Sequence, residues 1–185
     1  TRLDAILSDF LIYARPKTLT FTKCDILHEV ILSTIGLLQR DKRFPEGKIA
    51  IHVDSGPNFP KLVCDAQQIQ QVFWNLVLNA LQAMPNGGTL EICTQLEKIE
   101  KWELGTYGPI YAGVISVSDT GGGIDEETLR HIFHPFYTTK KNGTGLGLAI
   151  AHSIIKNHHG TIKVKSSLEQ GTTFDVILPL QQEHW

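Results

Sequence analysis

Three glycines, Gly143, Gly145 and Gly147, stand two residues apart in NGTGLGLAIA, directly ahead of an apolar, helix-prone run. Backbone N–H groups at a helix start lie at the positive end of the helix dipole and attract phosphate, and a missing Cβ lets the phosphate close in. Spacing excludes two familiar versions of this device. A dinucleotide loop, G-x-G-x-x-G, needs glycine at Leu148 or Ile150. A P-loop, G-x-x-x-x-G-K-[ST], needs Gly-Lys where Leu148 and Ala149 stand. Taken alone, the stretch reads equally as a flexible loop capping a helix.

Two other groups could complete a site. Asn75 and Asn79 are four residues apart and share a helix face beside an apolar stripe. Asparagine is a mediocre helix former, so two on one face call for polar partners. A carboxamide oxygen can ligate Mg²⁺, which keeps several waters and shares substrate phosphates; a merely solvated face would carry the same pair. VSDTGGGI ends a strand pattern in Asp119, followed by Gly121, Gly122 and Gly123. A carboxylate there can accept a hydrogen bond from the exocyclic amine of adenine while the glycines admit the ring. An ordinary Asp-Thr-Gly turn leading to a helix capped by Asp125 is the alternative.

The elements that must hold these groups follow from periodicity. Leu3, Ile6, Leu7, Phe10, Leu11 and Tyr13 recur at helical spacing until Pro16, a helix whose partner is expected upstream or in another chain. A second helix is predicted over roughly 25 to 40, and KIAIHVD (48 to 54) alternates like a strand. Asp65 caps the clearest helix, with Gln68 three residues on and Ile69, Val72, Phe73, Leu76, Ala80 and Met84 on one stripe; Pro85-Asn86-Gly87-Gly88 stops it. Strands are predicted at 89 to 97 and 112 to 119, joined by a long hairpin loop. A short helix from Asp125 to Phe133, a helix from 145 to 157, and two strands joined at Gln170-Gly171 complete the chain. This mixture predicts an α+β, two-layer sandwich: a mixed, mostly antiparallel sheet covered by helices on one face.

At 185 residues, with 42% apolar and 19% charged residues, the composition is that of a globular domain with one core. A net charge of -2 provides no global basic field for nucleic acid or an anionic membrane, so any anion site must be local. Cys24, Cys64 and Cys93 are an odd number without a C-x-x-C pair, which argues for a reduced setting.

The order of motifs is what discriminates. NLVLNALQAM, DTGGGI, FHPFYTTK, GTGLGL and GTTF follow one another, and the chain from about 20 to 180 resembles the ATP-binding domain of sensor histidine kinases, with the Bergerat-type fold of the superfamily that holds gyrase, mismatch-repair and chaperone ATPases. The form of FHPFYTTK resembles kinases of the nitrogen-regulation type. The resemblance implies that residues 1–16 are the end of the second helix of a dimerisation and phosphoacceptor hairpin, and 17–185 the catalytic domain. It implies ATP and Mg²⁺ as cofactors, with Asn79 as metal ligand and Asn75 against phosphates or metal. Asp119 would hold adenine, with Gly121 and Gly123 beside the ring and Thr172 assisting. Thr139, Lys140, Gly143, Thr144, Gly145, Leu146, Gly147 and Leu148 would line the phosphates. Phe133 and Phe136 would anchor a lid reaching to Gly143, from which Lys140 or Lys141 meets the γ-phosphate; Asn75 and Lys140 are the residues expected to act in catalysis.

Family hydrolases carry a glutamate where Asn75 stands, as the base for water. Asparagine cannot take that proton, so the resemblance implies transfer to a protein histidine rather than hydrolysis. The chain departs from many relatives at Gln82, where they carry lysine, and at His159, where they carry glycine. His28-Glu29 lacks the rest of an acceptor motif, and His28 is expected to be a residue of the helix that packs the ATP-binding domain. His131 and His134 lack a carboxylate or cysteine at metal-site spacing and are expected to flank the lid; His158 and His159 are weak metal candidates. Expected partners are the acceptor hairpin of the same protein or its dimer mate and a response regulator receiver domain, with no nucleic acid or membrane contact by this chain. A cytoplasmic location follows, compatible with a membrane-anchored parent.

Overall fold

The computed structural model describes residues 18–39, 48–57, 59–99, 110–140 and 143–180. The predicted helix before Pro16, the long loop after Ile99, and Lys141 with Asn142 lie outside them. Strand β1 (Thr22–Cys24) leads into a helical rod, α1 (Ile26–Leu32), wound in π-type turns, and α2 (Ser33–Gln39). Next come β2 (Ile49–Ser55), β3 (Leu62–Cys64), α3 (Ala66–Ala83), β4 (Gly88–Ile99) and β5 (Ile110–Asp119). A single turn, α4 (Glu126–Leu129), precedes α5 (Gly147–Asn157), β6 (Thr161–Ser167) and β7 (Gly171–Pro179).

The main sheet has the order β2-β4-β5-β7-β6, with β2 parallel to β4 and every other pair antiparallel. Its twofold alternation sends Leu90, Ile92, Ile115, Val117, Phe174 and Val176 toward the helices. The helical layer is α3 beside α5, with α1 and α2 against α3. α3 buries Ile69, Val72, Phe73, Leu76, Val77, Ala80 and Leu81, and each large side chain so buried contributes about 1.5–3 kcal/mol against its exposed state. Replacing Leu76, which is fully buried, by alanine therefore costs about 2–5 kcal/mol.

The α+β sandwich is as the alternation predicts, with differences at ends and edges. The Asp65 carboxylate accepts the Gln68 N–H at 3.1 Å and starts α3 as expected. The helix after Asp125 spans only Glu126–Leu129, because beyond it N–H groups bond three residues back, from His131 to Thr128, His134 to His131 and Tyr137 to His134. α5 begins at Gly147 rather than at Gly145, whose φ of +69° is incompatible with a right-handed helix. A small antiparallel pair, β1 with β3, had no signal in the periodicity; its strands are three residues each, too short to alternate legibly. It closes the far end of the helical layer with Cys24, Leu62 and Cys64 fully buried.

Candidate functional site

Strand register assembles one side of the site. Asp119 at the end of β5 pairs with Thr172 of β7, and Thr172 pairs with Ser166 of β6, so three polar side chains lie in one row across three strands. Asp119 and Thr172 are buried. Burial pushes the Asp119 carboxyl above the usual carboxylate range, partly offset by N–H groups of Gly121 and Thr172 and by the charge of Lys140. The Gly121 N–H donates to its Oδ1 at 2.8 Å. A methyl group on Gly121 would stand 2.7 Å from the Ala83 Cβ and 2.8 Å from that same oxygen, so only glycine fits against the carboxylate. Gly123 passes closely over the Ser167 carbonyl on the same rim.

Ser166 is a member of the site that the motifs do not contain. Its hydroxyl donates to the Gly171 carbonyl at 2.9 Å and accepts the Ile124 N–H at 2.8 Å, stitching the glycine turn to the sheet. With that single proton committed, Thr172 must donate in the 2.9 Å contact between the two hydroxyls. The Thr172 oxygen is thereby left as an acceptor. The signal was a hydroxyl in the inward register of Ile162 and Val164 in IKVKS.

The opposite side is made by α3, the lid segment and the start of α5. Asn75 and Asn79 do share a face. Asn75 Nδ2 donates to the Gly147 carbonyl at 2.9 Å and so ties the first residue of α5 to α3. Asn79 Oδ1 and Gln82 Oε1 both accept from Lys140 Nζ, at 2.8 and 2.7 Å. The ammonium is screened from water there although the residue as a whole is exposed, and this desolvation holds its pKa below the usual lysine range, with Asp119 acting in the other direction. Thr139 lies exposed beside it, and the Lys140 N–H donates to Thr138 Oγ1 at 3.1 Å.

At the glycine stretch, Leu146 is fully buried and Leu148 packs on the core, so the side chains of GTGLGL fix the loop while its backbone remains for a ligand. Ile150 is the first residue of α5 whose N–H bonds back into the turn, to the Leu146 carbonyl at 2.8 Å; the N–H groups before it are the orphan donors of any helix start. The Leu146 N–H reaches Thr144 Oγ1 at 3.3 Å. A Cβ on Gly145 would stand 2.4 Å from the Phe136 carbonyl carbon, which joins positive φ to close approach.

Several expectations need correction. Phe133, expected to anchor a lid, packs with its ring centroid 5.0 Å from that of His152. Phe136 does not anchor through its ring, which is 58% exposed; its N–H donates to the Gly145 carbonyl at 2.9 Å instead. His28 lies on α1, the helix packed against α3, as expected, with its own ring in solvent and paired with Asp25 at 3.1 Å. His158 is fully buried, with Nε2 accepting the Asp65 N–H at 3.0 Å and Nδ1 donating to the Ile154 carbonyl at 2.8 Å. Burial pulls its pKa down and keeps it neutral, and with both nitrogens engaged it is no metal ligand. His159 takes φ +55°, so the helix end keeps the left-handed turn that glycine favours despite the histidine. His131 and His134 do not merely flank the lid: their Nδ1 atoms meet at 3.4 Å.

Residues 64–182 match the family described as histidine kinase-, DNA gyrase B-, and HSP90-like ATPase. Sporulation kinase E of Bacillus subtilis (strain 168) is 32% identical over 98% of this chain and 23% of its own length. Sensor histidine kinase ZraS of Escherichia coli (strain K12) is 36% identical over 97% of this chain and 35% of its own. The chain thus spans about a quarter to a third of these relatives. The histidine kinase ThkA, solved in complex with response regulator protein TrrA, superposes with a TM-score of 0.75 at 27% identity, over 97% of this chain and 47% of that one.

Proposed function

The chain belongs to the histidine kinase-, DNA gyrase B-, and HSP90-like ATPase family, and from that premise we propose that it binds ATP and donates the γ-phosphoryl group in a sensor histidine kinase. The observation that carries transfer over hydrolysis is Asn75. Its amide donates to the Gly147 carbonyl, and a carboxamide takes no proton at neutral pH. A catalytic glutamate in its place would turn a carboxylate toward that carbonyl oxygen.

In this reading the row of β5, β7 and β6 receives the base. Asp119 accepts from the adenine amine, Thr172 offers its oxygen to the same edge directly or through water, and Gly121 and Gly123 admit the ring. Gly143, Thr144, Gly145, Leu146, Gly147 and Leu148 line the phosphates, with the orphan N–H groups at the start of α5 donating to them. Thr139 and Lys140 close from the lid, Lys140 moving from Asn79 toward the γ-phosphate. The residues fit a divalent cation as well: the Asn79 oxygen already holds a cationic group, the Lys140 ammonium. Mg²⁺ held by Asn79 would neutralise and orient the phosphates. Placing charge and geometry in this way is most of what phosphoryl transfer asks of a protein.

The acceptor histidine is assigned to a dimerisation hairpin, of the same protein or its dimer mate, whose second helix ends within residues 1–16; a response regulator would take the phosphoryl group onward. The test is to mix the chain with γ-labelled ATP, Mg²⁺ and a separately made hairpin. Acid-labile, base-stable label on the hairpin is the expected result. Rapid phosphate release with no labelled hairpin would replace this reading by a hydrolase.

A further inference from the structure

Beyond the nucleotide site, His131 and His134 are brought together by the short turns that end α4. Three N–H groups there bond three residues back, at 2.9 Å from His131 to Thr128, 2.8 Å from His134 to His131 and 3.2 Å from Tyr137 to His134. With about three residues per turn, side chains three apart eclipse one another. His131 and His134 are thereby stacked, and Tyr137, which follows the positive φ of Phe136, closes the cluster with its hydroxyl 3.5 Å from Thr128 Oγ1 and its ring 5.6 Å from that of His131.

The two imidazoles meet at 3.4 Å between Nδ1 atoms, with ring centroids 5.1 Å apart and planes inclined by 59°. As a hydrogen bond this is poor: 3.4 Å is beyond the usual N–H range. A straight N–H···N contact of that length would also set the centroids about 5.8 Å apart, each nitrogen being about 1.2 Å from its ring centre. As a chelate it fits. Two nitrogens at about 2.0–2.1 Å from a tetrahedral metal are about 3.3–3.4 Å apart, and rings directed at that metal have centroids about 5.2–5.4 Å apart. A square-planar ion, as Cu²⁺ prefers, would bring the nitrogens to about 2.8 Å.

We propose that His131 and His134 are a two-imidazole site for a tetrahedral divalent cation, Zn²⁺, at the base of the lid. Among the described residues no group of three His, Cys, Asp or Glu could hold a metal, so two coordination positions are filled by water. His134 precedes Pro135 and Phe136, whose N–H holds the Gly145 carbonyl, and a bound ion staples the turn from which the lid departs. The site needs no nucleotide and stands apart from the kinase reading.

The test titrates the 185-residue chain, without a histidine tag, with ZnCl₂ by calorimetry and with Co²⁺ by visible absorption. Expected are one equivalent of Zn²⁺ per chain and the intense band of tetrahedral Co²⁺, both lost in His131→Gln and in His134→Gln and both kept in His28→Gln. Metal-free melting midpoints verify that the variants fold. In the unmutated chain, Zn²⁺ is expected to shift the ring proton signals of His131 and His134 in NMR ahead of any other histidine. No binding by the unmutated chain, binding kept in both variants, or another histidine shifting first overturns the proposal.

Discussion

The two sides of the site are built by different means. On one side, proposed for the base, Asp119, Thr172 and Ser166 take their places from β-register; backbone groups hold Asp119 and Ser166, and the Ser166 hydroxyl holds Thr172. On the opposite side Asn75 ties α5 to α3, but the segment before Gly143 reaches α3 through one long side chain, Lys140, to Asn79 and Gln82. A row fixed by a sheet cannot move without breaking the ladder, whereas a lysine exchanges partners by rotating bonds. In the proposed reading, recognition of the base rests on rigid parts. In the same reading, grip on the phosphates rests on a part that can let go, as product release requires.

The comparison is broken hardest at Asp119. Asp119→Asn is expected to weaken ATP and adenosine alike, by roughly 10- to 100-fold for a lost hydrogen bond to a charged group, read by calorimetry. Its melting midpoint is not expected to fall. The folded-state pKa of Asp119 is raised, so the stability linked to this group is present below the unfolded pKa and lost as pH rises through the folded one. Removing the charge lifts that cost at neutral pH.

Next in size is Gly145→Ala. Positive φ and the approach to Phe136 give a loss of about 1–3 kcal/mol in denaturant unfolding, with weaker ATP binding through the displaced lid anchor. A pH series then separates the sides. The lysine pKa is lowered by desolvation, so in the free chain the Lys140 charge is lost at lower pH than for an ordinary lysine. ATP affinity is expected to fall on the alkaline side first, and Lys140→Arg to hold it to higher pH. Stability linked to the group runs oppositely, rising as pH passes the lowered pKa toward the unfolded value. The smallest effect is expected at His159→Gly, which relieves the left-handed turn for a gain of about 0.5–1 kcal/mol in unfolding, leaving ATP affinity unchanged.

Much of this was legible in the residues, and the parts that were not have physical reasons. Sheet and core could be read because burial imposes period two on strands and 3.6 on α3. The polar positions of α3 could be read because Asn75 and Asn79 violate helix propensity beside a core. Ser166 escaped because a serine in a strand pattern carries no sign of its partner, which register alone supplies. The Phe136 anchor was misjudged because an aromatic residue in a motif suggests ring packing, whereas a positive φ turns its N–H to Gly145. The contact of Lys140 with Gln82 joins residues 58 positions apart, and no local pattern encodes it.

The most direct test of the account compares ATP with adenosine on Lys140→Ala by calorimetry in the presence of Mg²⁺. The account predicts roughly tenfold weaker ATP binding, about 1.4 kcal/mol, with adenosine affinity unchanged. An equal loss for both ligands, or no loss for ATP, would contradict it.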